Sequence, residues 1–156
     1  MRLTSYSDYS VRVLIYLSIH HERLNNIKDI AHVYGISKNH LMKIIYNLGK
    51  LGYIETIRGR NGGIRLAKAP KEINLGELIR QTEEDFHIVE CFSKDHSHCA
   101  ISPVCNLKGV FFQAKQAFLH VLDAYTLEDV VENRIVLKEF LQKPAEEKLV
   151  PLISET

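Results

Sequence analysis

The stretch "NNIKDIAHVYGISKNHLMKIIYNLGKLGYI", residues 25–54, constrains this chain more than any other. Ala31 stands four residues before Gly35, and Ile30, Tyr34, Ile36, Leu41 and Ile44 fall at the apolar positions of a helix-turn-helix. A small residue at 31 lets two helices approach closely, and Gly35 supplies the positive φ that a tight inter-helix turn needs. Ser37 suits the N-cap of a second helix running to about Gly49. Directly after it, "YIETI" and "IRL" are strand-like and flank the turn "RGRNGG", a β-hairpin with a basic, glycine-rich tip. Upstream, "YSDYSVRVLIYLSIH" (6–20) predicts a first helix, with Ser5 and Asp8 spaced as a capping box. Three helices and a hairpin in that order predict a winged helix over residues 1–69.

Charge supports a nucleic-acid partner for this half. Residues 1–69 carry eleven Lys and Arg against four Asp and Glu, a net +7, whereas residues 70–156 carry nine against fifteen, a net −6. The overall +1 hides this division. Helix-turn-helix units also serve as protein–protein modules, but a basic wing beside one points to DNA. Asn39 and His40, early on the second helix, are the candidates for base edges in the major groove. Ser37, Lys38 and Lys43 suit phosphates, and Arg58 and Arg60 on the wing suit the neighbouring minor groove.

The second half begins with a loop at Pro70 and a short helix over residues 75–84. Ser102–Pro103 suits the start of a long helix. In that helix Leu107, Val110, Phe111, Ala114, Ala117, Phe118, Val121, Leu122 and Tyr125 recur at intervals of three and four, an apolar seam of about five turns. One winged helix reads one half-site, so the seam is expected to pair two chains on a palindromic operator. A further helix is expected to start at Thr126, and residues 144–156 form a tail. The resulting division is a winged-helix unit (1–69), a connector with a cysteine-rich loop (70–105), a dimerisation helix with its successor (106–143), and the tail (144–156). The fold class is mainly α.

All three cysteines lie within "ECFSKDHSHCAISPVCNL", at 91, 99 and 105. No segment has the length of a membrane span or the pattern of a signal peptide, so a cytoplasmic chain with reduced thiols is expected. The spacing C-x7-C-x5-C lacks the close pair of a zinc knuckle. A zinc site completed by His96 or His98, or a thiol switch, remains open on spacing alone. Wide loops suit a larger object, and an iron–sulfur cluster prefers thiolates and usually takes four. Three cysteines would leave one iron needing an oxygen or nitrogen ligand. No nucleophile elbow, phosphate loop or C-x-x-C is present, so no enzyme is expected.

Together, the "RGRNGG" wing, "INLGELIRQTE", "DFHIVEC", the cysteine spacing and "AISPVCNL" make the chain resemble the iron–sulfur-cluster winged-helix repressors, over about residues 1–133. The likeness is strongest to their nitric-oxide-sensing branch. It implies a homodimer with one cluster per subunit, [4Fe–4S] by the lean of the spacing and otherwise [2Fe–2S], held by Cys91, Cys99 and Cys105. It also implies a fourth ligand from the other subunit's first helix, where Asp8 matches. Arg12, one turn on, would hold that carboxylate. The sister branch that regulates cluster biogenesis carries a histidine three residues after the last cysteine. Lys108 stands there in this chain and argues against that branch.

Overall fold

The computed structural model describes residues 2–93 and 98–142. His96 and the tail 144–156 lie outside the described residues. The first helix, α1 (Ser5–Ile19), is capped by Thr4, whose Oγ1 accepts the Ser7 N–H at 3.3 Å. The expected Ser5–Asp8 capping box therefore does not form. Thr4 is chosen because its backbone N–H and hydroxyl both bond Glu83 Oε1, at 2.8 and 3.0 Å, a partner 79 residues away. Helix α2 (Ile27–Tyr34) ends at Gly35, which takes φ 64°, a left-handed conformation that costs a glycine nothing. Helix α3 (Lys38–Lys50) follows, with Ser37 Oγ accepting the His40 N–H at 3.2 Å.

Strands β1 (Ile54–Ile57) and β2 (Gly63–Leu66) pair antiparallel from Ile54↔Leu66 to Ile57↔Gly63. The hairpin is fastened to the helices by an isolated bridge. Asn25 and Ile64 exchange N–H···O=C bonds, each 2.9 Å long. Beneath it lies one continuous core, in which Val13, Leu14, Ile30, Leu41, Ile44, Leu48 and Ile64 are fully or almost fully buried. Each such side chain contributes roughly 1.5–3 kcal/mol by leaving water. These contacts fix the angle of α3 and the wing relative to α1.

Helix α4 (Leu75–Thr82) joins this core through Leu78 and Ile79. It also meets α1 in a buried hydrogen bond, Ser7 Oγ donating to Thr82 Oγ1 at 2.8 Å. Helix α5 (Asn106–Asp123) is the longest and has a single buried residue, Leu119. Ser102–Pro103 opens a separate 3-10 turn, and Cys105 in extended conformation divides that turn from α5. The far end of α5 is held to α4. Arg80 Nη2 donates to Asp123 Oδ2 at 2.8 Å, and this fork holds the Asp123 carboxyl below the usual carboxylate range. A Cβ on Gly76 would stand 2.0 Å from Asp123 Oδ1, so glycine at 76 is what lets the two helices close. Thr126 N–H and Oγ1 bond Asp129 Oδ2 at 2.6 and 2.7 Å, but this cap closes only a 3-10 turn. The last helix, α6 (Arg134–Gln142), starts later than the sequence predicts and packs on α1. No helix among the described residues is long and apolar enough to cross a membrane.

Candidate DNA interface and cysteine site

Helix α3 turns Leu41, Ile44, Ile45 and Leu48 into the core and leaves the opposite face open. Lys38, Asn39 and Lys43 are exposed there, as the sequence predicts. His40 is only half-exposed, because its ring meets Tyr9 of α1 edge-on at 5.3 Å between centroids. It therefore braces the start of α3 against α1, a contact 31 positions apart that no local pattern announces. The same open face shows two side chains missed by the sequence reading. Met42 and Tyr46 are 42% and 67% exposed, although apolar residues of this size usually pack. Their signal was available, since 42 and 46 fall outside the 41-44-45-48 period of the buried face.

The wing presents Arg58 and Arg60 in the exposed turn between β1 and β2. Neither makes an ion pair among the described residues, whereas Arg65 is already committed to Glu55 at 2.9 Å across the ladder. Two uncommitted guanidinium groups beyond the end of α3 form the positive rim that duplex phosphates require. Arg60→Ala is expected to weaken operator binding and to lower the slope of log affinity against log salt by about one. Titrations of a labelled operator at several salt concentrations measure this, and an unchanged slope would remove the wing from the interface.

The cysteine site forms where the connector meets α5. Cys91 lies in a 3-10 turn (Glu90–Phe92), and Cys105 sits at the start of α5. Both thiols are free and half-exposed, and both line one open cavity of about 830 Å³ with Ser102, Lys108, Phe112 and Lys115. Lys115 is placed by aromatic faces, 5.0 Å from the Phe92 ring centre and 5.3 Å from that of Phe112. Cys99 is free and exposed but does not line this cavity. Among the described residues no three His, Cys, Asp or Glu side chains gather closely enough to hold a single metal ion. His98 is exposed, its backbone N–H donating to Glu90 Oε1 at 2.5 Å.

Asp8 lies in the first turn of α1, apart from this cavity. Arg12 grips it with a two-pronged fork, Nε to Oδ1 at 3.0 Å and Nη2 to Oδ2 at 2.8 Å, as the i, i+4 spacing predicts. Both side chains remain more than 40% exposed, so the carboxylate is accessible. The guanidinium lies 5.7 Å from the Tyr9 ring centre, and the Tyr34 hydroxyl donates to the Arg12 carbonyl at 3.1 Å. Asp8 is thereby linked through Arg12 and Tyr9 to His40 on α3.

A family model described as Rrf2, iron-dependent transcriptional regulator, matches residues 3–133. This chain belongs to the Rrf2 family. Among curated relatives, the HTH-type transcriptional regulator NsrR of Bacillus licheniformis is 60% identical over 142 residues, covering 90% of this chain and 99% of that protein. NsrR of Bacillus subtilis is 57% identical over 143 residues, covering 91% and 98%. Among solved structures, T. potens IscR superposes with a TM-score of 0.68 at 27% identity, covering 85% of this chain and 88% of that one. CymR, the global cysteine regulator of B. subtilis, gives 0.68 at 25% identity, covering 85% and 98%. As an Rrf2 member the chain is a winged-helix, DNA-binding transcriptional regulator of the iron–sulfur type and not an enzyme.

Proposed function

We propose that this Rrf2 protein is a nitric-oxide-responsive repressor, working as a homodimer on a palindromic operator in the cytoplasm. The observation that carries this reading is the open cavity shared by Cys91 and Cys105 in a chain 60% identical to an NsrR. Two free thiols with Lys108 and Lys115 on the same wall make a donor set and a charge that suit an anionic, thiolate-ligated cluster. Cys91, Cys99 and Cys105 would hold it in one subunit, with Asp8 supplied by the other. The nuclearity we favour is [4Fe–4S]. When bound, such a cluster supplies iron that reacts with nitric oxide.

The chain's own residues would convert that reaction into a change at DNA. Arg12 aims the Asp8 carboxylate outward and stacks on Tyr9, which touches His40 at the head of α3. Thr4 and Ser7 of the same helix end are bonded to Glu83 and Thr82, just ahead of the cysteine segment. A carboxylate held by the second subunit fixes α1, and a released one frees it, so ligation biases the posture of both reading heads. The winged-helix unit, the connector and α5 thus divide into reader, sensor and dimer seam, with boundaries near residues 69 and 105.

The test is the visible spectrum of protein purified without oxygen, followed through stepwise additions of nitric oxide alongside operator binding. Bands that change over a few equivalents while the operator is released are the expected result, and a colourless, zinc-containing protein would overturn it. In the Asp8→Ala variant the bands should shift and the cluster decay faster. A wild-type spectrum and response there would sink the cross-subunit ligand alone.

A further inference from the structure

The open face of α3 carries an apolar pair that neither the core nor the phosphate contacts use. Met42 and Tyr46 stand one turn apart, with Asn39 and Lys43 alongside, and together with Asn47 they line a shallow groove on the helix. Leaving a thioether and a phenol ring 42% and 67% exposed on a DNA-reading helix gives up burial that α3 has already secured elsewhere. The charge around them names the occupant. Lys38 and Lys43 lie on this face, Lys50 sits 5.7 Å from the Tyr46 ring centre, and Arg58 and Arg60 flank it on the wing. A second protein surface would have to bury these cations, whereas a duplex neutralises them with phosphates. Met42 is the fifth residue of α3 and Tyr46 the ninth, within the part of a recognition helix that faces base edges.

In the major groove the one apolar group on a base edge is the thymine C5-methyl. The geometry points to Met42 and Tyr46 as specificity-determining residues that read thymine methyl groups in each operator half-site. Met42, unbranched and polarizable, packs on the methyl nearer the start of α3, and Tyr46 packs on a second methyl one helical turn along. Asn39 and Lys43 then supply the polar half of the same readout. This inference rests on α3 being the reading helix.

The test begins with selection of the preferred duplex from a random pool by the full-length protein. Each selected thymine is then replaced by deoxyuracil, which removes only the methyl group. Wild-type protein should lose about fourfold in affinity at one or two positions per half-site, the worth of one buried methyl. Met42→Ala should bind with no such loss at one of those positions, and Tyr46→Ala with none at the other. Both side chains are exposed, so neither variant is expected to unfold. Met42→Gln should move the preference at its position towards adenine, which glutamine recognises through N6 and N7. Equal binding of thymine and deoxyuracil duplexes by wild type overturns the proposal, and so does a penalty that survives in both alanine variants. If Lys43→Ala and Asn39→Ala leave the selected sequence unchanged as well, α3 is not the reading helix. If Met42→Ala alters only the oligomeric state, the face is a protein contact.

Discussion

Cys105→Ala is expected to yield a folded, colourless protein whose DNA binding no longer responds to nitric oxide. The fold half of this expectation follows from the position of the thiol. Cys105 is half-exposed, makes no disulfide, and contributes no side-chain bond to the start of α5. Its removal should change stability by no more than about 0.5 kcal/mol, as for surface substitutions clear of caps and cores. The chemical half follows from the scarcity of donors. Three cysteines are all the chain has, and only Cys91 shares the cavity with Cys105. Removing one of three thiolates leaves two protein sulfurs for an object that usually takes four ligands. Iron content, the visible spectrum and thermal unfolding of anaerobically prepared protein measure the two halves separately. Full iron loading with an unchanged spectrum would exclude Cys105 as a ligand, whereas a collapsed unfolding transition would show a packing role instead. Cys91→Ala should behave in the same way, since its thiol lines the opposite side of the sequence gap to the same cavity.

The parts legible from sequence were those set by local period and turn chemistry. The helix-turn-helix spacing, the αL glycine at 35 and the 54–57/63–66 hairpin all follow from residues within a few positions of one another. Asp8 and Arg12 were equally accessible, because i, i+4 on a helix is a fixed distance. Contacts made across the chain were not accessible. Thr4 rather than Ser5 caps α1 because Glu83 reaches back to it, and His40 turns from DNA because Tyr9 stands beneath it. The start of α5 shows a related failure. Proline at the second position of a 3-10 turn looks the same as proline in the first turn of an α-helix, and only the extended backbone of Cys105 separates the two. At Thr126 the cap was identified correctly, but the bridge between Asn74 and Thr126 ties that segment to α4 and delays the helix to Arg134. Of the candidate site, the ligand types were legible and their mutual placement was not, because Cys91 and Cys105 meet through the packing of two separate elements.

Val121→Glu is expected to produce a monomer that keeps its fold but loses most of its operator affinity. In the isolated chain Leu107, Val110 and Val121 are 55%, 58% and 57% exposed, and Tyr125 is 49% exposed. A charge at 121 therefore meets water and costs the subunit little. Paired with the α5 of a second copy, the same seam is dry, and its two-fold symmetry would set the glutamates of both subunits within one interface. An uncompensated buried charge costs about 3–5 kcal/mol, so the dimer constant should rise by two to three orders of magnitude. Operator affinity should then fall by about 10²–10⁴, because the second half-site no longer binds as an intramolecular event. Gln116 occupies the face opposite the seam, and Gln116→Glu should leave both quantities unchanged. Sedimentation velocity across a concentration series, with circular dichroism on the same samples, separates dissociation from unfolding. A Val121→Glu protein that stays dimeric would move the interface off α5. A protein that becomes monomeric yet binds its operator at full strength would show instead that one reading head suffices, and the palindrome would lose its purpose.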